Sequence, residues 1–544
     1  MVRDVLEEAL RDAVDKASNE LGIEPPDTIE LERPARREHG DWSTNVVMVT
    51  AKPAGRNPRE LASRLIEILS ADLPPHVESV EVAGPGFVNF HLAPTWLHDV
   101  LGEIVAQGEA GYARHAFGTG GRVQVEFVSA NPTGPIHVGN GWFASYGDSV
   151  ARLLERCGYD VSREYYVNDT GGQIRLLGES VLARRGGRPV PEGGYPSAFV
   201  KGLASAYDGP DDIEHAGRWA AGHILDFIRT QMASINITFD EWFSAASIQD
   251  SDAVADTVAL LQAKGLVWEE DGALWLDTGA YGDHRERRVL RKSASQGGDF
   301  TYLAGDIAYH RDKFLVRGFD AVIDVWGADH QGQVSSLLAG VDALGVERGR
   351  LEVRIGQMVS LTGGRIGKRL GNAVDLDDLV DDIGPDVMRV LSLISSIDQS
   401  PTIDLDQVRA ESKESPVFYV QYAHARIHSI GKKADELGVT RADLATVDLT
   451  PLTHERELEV LRMLSLLPEV VALACNERAP HKITAWVRDL ADRFHGFYSH
   501  DDCRILGSGV PPETTQARLW LVEATRIGLA IGLGLLGVSA PESM

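Results

Sequence analysis

Val123-Gln-Val-Glu-Phe-Val128 is followed by Ser129-Ala-Asn-Pro-Thr-Gly-Pro-Ile136, then by a segment of helical spacing from Gly141 to Cys157, and then by Ser162-Arg-Glu-Tyr-Tyr-Val167. The first and last runs are rich in β-branched and aromatic residues, which fit a pleated strand. The run between them that holds two prolines and a glycine reads as a loop. Gly158 stands where a helix C-cap is expected. Strand, loop, helix, strand is the opening unit of a doubly wound parallel sheet, and such sheets bind ligands beyond the carboxyl ends of their strands. Further strands are predicted at Ala321–Val325 and Leu351–Ile355, and the stretch between about 175 and 290 is predicted as a mainly helical insertion.

Outward from this unit, residues 1–115 read as a smaller α+β domain. Amphipathic spacing marks helices at Val5–Leu21 and Pro58–Leu69, and strands are expected at Val77–Val82 and Gly86–His91. Phe117-Gly-Thr-Gly-Gly-Arg122 reads as a linker to the sheet-forming domain, residues 120–405. From 406 to 544 nearly everything has helical period, with Leu and Ala prominent, as in a terminal helical bundle. A length of 544 residues with 43% hydrophobic content supports several such cores. No run approaches the roughly 18 apolar residues of a membrane span, and Met1-Val-Arg-Asp-Val-Leu-Glu-Glu8 is too polar for a signal or transit peptide. A cytoplasmic location is therefore expected. Three cysteines, Cys157, Cys475 and Cys503, are too far apart for metal-binding spacing, so no metal ligand set and no disulfide are expected. The net charge of −27 argues against a wholly basic nucleic-acid binder, yet a large acidic enzyme can carry a local cationic surface.

The chemistry concentrates at Ser129-Ala-Asn131-Pro132-Thr133-Gly134-Pro-Ile-His137-Val-Gly139-Asn140. At a helix N-terminus, free backbone N–H groups and the helix dipole favour a polyphosphate. Gly139 leaves room for a flat base, and His137 can donate to phosphate oxygens. No Gly-Lys-Ser/Thr follows, so this is not a Walker loop, and the three-glycine dinucleotide fingerprint is absent as well. The cationic cluster Arg33-Pro-Ala-Arg36-Arg37-Glu-His39-Gly40-Asp41-Trp42 fits either a solvated loop or an RNA-backbone contact.

The loop resembles the His-x-Gly-His signature of class I aminoacyl-tRNA synthetases. Together with Tyr165-Tyr-Val-Asn168-Asp169-x-Gly-Gly-Gln173 it is similar to the arginyl-tRNA synthetase family in particular. Tyr302-Leu-Ala-Gly-Asp306, Trp326-Gly-Ala-Asp329-His330, Gly371-Asn372, Asp375-Leu-Asp-Asp-Leu379, Tyr419-Val-Gln421-Tyr422-Ala-His424-Ala-Arg426 and the end Leu535-Leu536-Gly537-Val-x-Ala-Pro541-Glu542-x-Met544 follow in family order, as do Arg37–Trp42 and Gly84–Phe90 at the N-terminus. The resemblance implies a Rossmann-like α/β catalytic domain flanked by an N-terminal α+β domain and an all-α anticodon-binding domain. It implies a monomer that joins L-arginine to tRNA(Arg) at the expense of ATP, with Mg2+ carried on the phosphates and tRNA present for the first step to proceed. Arg365-Ile-Gly-Lys368 stands for the second class I signature, and Lys368 would stabilise the departing pyrophosphate with Arg365 assisting. His137 and Asn140 would act beside it at the phosphates, and Pro132, Thr133, Gly134, Gly139 and His330 would complete the ATP site. For the amino acid, Asp306 would take the guanidinium with Tyr302 beside it, Asn131 and Asn168 would hold the α-amino and carboxylate ends, and Asp329 would face the pocket. Arg36, Arg37, Trp42, Tyr419, Gln421, Tyr422 and Arg426 would meet tRNA.

The chain departs from the family pattern at Asn140, which replaces the second histidine, and at Trp142, Gly305 and Ala245. Ala245 replaces a family glutamate that serves as a second acceptor for the guanidinium. These departures keep two other readings open, a paralogue with another amino acid or acceptor and a catalytically silent RNA-binding relative.

Overall fold

A computed structural model of the chain describes residues 2–21, 24–34, 36–357, 359–362, 374–409 and 416–544. Their backbone contacts form two units. The first comprises Met1–Tyr112, Ser429–Leu466 and Asp492–Gly528, and the second Ala113–His428, Leu467–Ala491 and Leu529–Met544.

In the first unit, helices α1 (Val2–Leu21), α2 (Val46–Ala51), α3 (Pro58–Ala71) and α4 (Thr95–Gly111) accompany a three-stranded antiparallel sheet. Its strands β1 (Trp42–Thr44), β2 (Val77–Ala83) and β3 (Phe87–Leu92) lie in the order β1-β3-β2. α3 begins as its sequence directs, with Pro58 at the first turn and the Asn57 side chain accepting from Arg59 N–H. Gly40, at φ +89, makes the turn into β1, where a β-carbon would lie 2.5 Å from the Phe90 carbonyl oxygen. That turn delivers Trp42 to the core beside Phe90, with Arg33 stacked over its ring.

In the second unit a five-stranded, all-parallel sheet carries the order β11-β10-β4-β5-β6, with β4 at Arg122–Glu126, β5 at Asp160–Val167, β6 at Glu241–Ser244, β10 at Ala321–Gly327 and β11 at Leu351–Gly356. The chain moves outward one way through β4, β5 and β6 and the other way through β10 and β11, so the switch point lies between β4 and β10. Between them run α5 (Val138–Arg156), α6 (Gly172–Arg185), α7 (Ala198–Ala206), α8 (Ile213–Ser234), α9 (Ala246–Gln249), α10 (Ala253–Ala263) and α11 (Tyr302–Arg311). α12 (Val334–Ala343), α13 (Leu376–Ile383) and α14 (Pro385–Ser392) follow.

Three sequence expectations change. The first strand stops at Glu126, because Val128 and Ser129 adopt left-handed φ values of +70 and +41 that no strand accommodates. The insertion is less helical than its composition implied. It yields β6, which joins the main sheet, and an antiparallel sheet of β7 (Val267–Glu270), β8 (Ala273–Asp277) and β9 (Arg287–Arg291). The glycine-rich stretch before β4 is packed and is no free linker, since a β-carbon on Gly118 would sit 2.4 Å from the Tyr159 ring.

Candidate active site

Because all five strands run the same way, Glu126, Val167, Ser244, Gly327 and Gly356 end at one edge of the sheet, and the loops of interest leave from there. The loop after β4 is strongly tied down. The Ser129 hydroxyl donates to Glu126 (2.9 Å) and accepts from Tyr166 N–H (3.1 Å), and the Tyr165 hydroxyl donates to the Ala130 carbonyl (2.8 Å). Held this way, Asn131 meets Asn168, whose amide donates to it at 3.0 Å. Ile136 N–H is satisfied by the Gln231 side chain at 2.9 Å.

His137 is the N-cap of α5, in extended conformation and half-exposed, with its Nδ1 3.4 Å from Asp375. Backbone bonds from Val138 N–H to the Val374 carbonyl (3.0 Å) and from Leu376 N–H to the Ile136 carbonyl (2.8 Å) fasten the two segments. Burial raises the Asp375 carboxyl, and His137 offsets part of that rise. Pro132 is buried, Thr133, Gly134 and Asn140 are half-buried, and no atom lies within 4 Å of where Gly139 would carry a β-carbon. An open glycine one residue beyond the N-cap leaves space above the first turn's N–H groups.

Across the switch point, Asp329 and His330 are exposed in the turn that follows β10, 3.4 Å apart, and the Asp329 carboxylate folds back over Gly327. Gly327 and Gly356 are partners in register, and Phe143 from α5 occupies the volume a β-carbon on Gly356 would need. Arg365 and Lys368 lie outside the described residues, as do Gly371 and Asn372.

Tyr302 opens α11 and is largely exposed, while Asp306, one turn later, sits half-buried on the same helix. Burial pushes the Asp306 carboxyl up to about 6, with His310 holding it back and the charges of Glu126 and Asp324 pushing the same way as burial. Tyr166 is its aromatic neighbour, packed with Tyr309 (ring centroids 4.7 Å) and Phe243 (6.4 Å).

Beneath these groups lies a buried charge network that the sequence gave no reason to single out. After α11 the helix widens into a π turn at Asp312–Val316, which carries Lys313 wholly into the interior. Its ammonium donates to Glu126 (2.6 Å) and Asp324 (3.0 Å), and His310 joins Asp324 (2.8 Å) to the Asp306 carbonyl (2.8 Å). Arg317 and the Tyr309 hydroxyl both engage Glu164. Burial opposes ionisation of Asp324, but Lys313 and His310 outweigh it and hold its carboxyl at about 2. No motif signal marks such a network, because its members are ordinary residues on four different elements.

Two positions expected at tRNA are instead internal. Trp42 is 2% exposed in the first unit's core. Gln421 is buried, and its amide donates to Asp386 (2.8 Å) and the Ser539 carbonyl (3.0 Å). Tyr422 is exposed under the Arg426 guanidinium, Tyr419 is half-buried, and Arg36 and Arg37 are exposed, Arg37 pairing with Glu455. Cys503 lies 3.4 Å from His454, near His500, but each imidazole already accepts a backbone N–H at its Nδ1. Those bonds make the two histidines helix and turn caps.

Three family models cover nearly the whole chain. The arginyl tRNA synthetase N terminal domain matches residues 4–92, the class I (R) tRNA synthetase catalytic domain 103–185 and 199–427, and the DALR anticodon binding domain 420–544. The chain belongs to the arginyl-tRNA synthetase family. Among its relatives, an arginine--tRNA ligase of Desulforudis audaxviator is 43% identical over 99% of this chain and 98% of its own. One of Bacillus subtilis is 38% identical over 100% and 99%. The arginyl-tRNA synthetase structure from Thermus thermophilus shares the fold at a TM-score of 0.77, with 23% identity over 99% of this chain and 100% of its own. Family membership accounts for the parallel sheet and for the helical C-terminal segment. No described helix of this synthetase is long and apolar enough to cross a membrane.

Proposed function

We propose that the chain is an ATP-dependent arginine–tRNA ligase that works in the cytoplasm as a monomer. The observation that carries this reading is the tied loop after β4, with His137 at the mouth of α5 and Asn131 joined to Asn168, facing Asp306 at the same edge of the sheet. ATP would lie over the α5 N-terminus, its adenine at Gly139 and its phosphates against Pro132, Thr133, Gly134, His137, Asn140 and His330. Arginine would extend from Asn131 and Asn168 toward Tyr302 and Asp306, with Asp329 at the rim. Its carboxylate oxygen attacks the α-phosphorus, an arginyl–phosphate bond forms, and pyrophosphate leaves. Lys368, with Arg365, would neutralise that leaving group, an interaction stronger in the transition state than before it. The ribose hydroxyl at the tRNA 3′ end then attacks the arginyl carbonyl and AMP departs. Mg2+ would travel on the phosphate oxygens, as hard oxygen ligands favour.

For tRNA, the segment 1–115 would offer Arg36 and Arg37, and the segment 406–544 Tyr422 and Arg426. The decisive test is to incubate the protein with ATP, tRNA and each of the twenty amino acids in turn. Charging with arginine alone supports the reading, charging with another amino acid replaces it by a paralogue, and no charging points to a silent RNA-binding relative. Pyrophosphate exchange with ATP and arginine is expected to stay weak until tRNA is added.

A further inference from the structure

The site holds a substrate cation with five N–H donors, yet only one ionisable acceptor, Asp306, stands at the expected guanidinium end. Ala245, where a carboxylate would be expected, is buried and offers no side-chain acceptor. Asp169 does not replace it, because its Oδ2 already accepts from the Ser244 hydroxyl (2.6 Å) and its Oδ1 from Ala246 N–H (3.1 Å). Those two bonds orient the short helix α9, which packs against α11, the helix of Tyr302 and Asp306. At the end of α9 stands Gln249, exposed, and its side chain hydrogen-bonds the hydroxyl of Tyr166. Tyr166 in turn lies close enough to Asp306 to sense its charge.

We propose that Gln249 is a specificity-determining residue of this chain, its amide oxygen serving as the second acceptor for the arginine guanidinium in place of a carboxylate at position 245. This assignment rests on the arginine-ligase reading above. The chemistry suits it. With the amide N–H donating to Tyr166, the oxygen is left to accept from the cation, and Tyr166 fixes its direction. A neutral acceptor beside Asp306 also avoids placing two carboxylates side by side, an arrangement that would raise the pKa of one of them further.

The test is steady-state aminoacylation with the full chain, tRNA and ATP, comparing wild type with Gln249→Ala and Gln249→Glu. Gln249→Ala is expected to raise KM for arginine about tenfold, as loss of a hydrogen bond to a charged group does, with kcat and KM for ATP within about twofold. Gln249→Glu, which keeps an oxygen in place, is expected to leave KM for arginine at or below the wild-type value. An unchanged KM for arginine in Gln249→Ala overturns the proposal, as does an equal rise for ATP or a Glu variant as impaired as Ala. Because Gln249 is exposed, thermal unfolding of both variants should match wild type, and a large loss there would reassign the residue to folding. Failure of the wild type to charge arginine would instead remove the reading on which the assignment rests.

Discussion

Asp306 shows how one residue couples environment to recognition. Its carboxyl is raised to about 6 by burial, so near neutrality it is mostly ionised but is close to its titration. A guanidinium binds the carboxylate and not the carboxylic acid, so arginine affinity should be full above pH 6.5 to 7 or so and fall as pH drops through about 6. Measured as kcat/KM for arginine against pH, a profile flat down to pH 5 would refute this. Asp306→Asn should lower kcat/KM for arginine by two to three orders of magnitude, near the 2–5 kcal/mol reported for removing one partner of a buried charge pair, with KM for ATP little changed. At this scale the sequence was partly legible. Asp306 and His137 were marked by motif, while Gln249 and Tyr166 carried no signal, because their meaning depends on which side chains stand opposite them.

Among the elements, the site is organised by the buried network linking β4, β5, β10 and the π turn after α11. Lys313 balances Glu126 and Asp324, so replacing it leaves two carboxylates in the interior without their cation. Lys313→Ala should cost about 3–5 kcal/mol in urea unfolding. The sign of its pH dependence follows from the loss. Without Lys313 the buried carboxyls would have folded-state pKa values above their unfolded ones, so the variant should regain stability as pH falls toward about 5. A variant that unfolds at the wild-type urea midpoint would show that the network is redundant. Packing imposes a second constraint at Gly147 of α5, where a β-carbon would lie 2.3 Å from the Phe127 ring. Gly147→Val should therefore destabilise by at least the 1–3 kcal/mol or so typical of an overpacked core, readable as a fall in thermal midpoint. The periodicity of α5 and the strands was visible in the chain, but the interdigitation of Phe127 with Gly147 was not.

On the scale of the whole molecule, a protein of net charge −27 must bind a polyanion through local cations, which makes affinity for tRNA sensitive to salt. Raising ionic strength should weaken tRNA binding with a linear log–log slope, and Arg36→Ala should reduce that slope by about 0.7 to 0.9 if Arg36 contacts a phosphate. An unchanged slope in a filter-binding or fluorescence titration would remove Arg36 from the interface. The sequence by itself determined the order of the domains' secondary structure, the parallel strands at Val123, Ser162, Ala321 and Leu351, and the phosphate-binding character of the 129–140 loop, since periodicity, caps and glycine spacing are local properties written along the chain. Tertiary structure alone decided that Glu241–Ser244 becomes the fifth strand, that Trp42 and Gln421 turn inward, and that Lys313 is a buried counter-ion. The physical reason is the same in each case: burial and charge pairing depend on neighbours distant in sequence, and only the assembled fold brings those neighbours within a few ångströms.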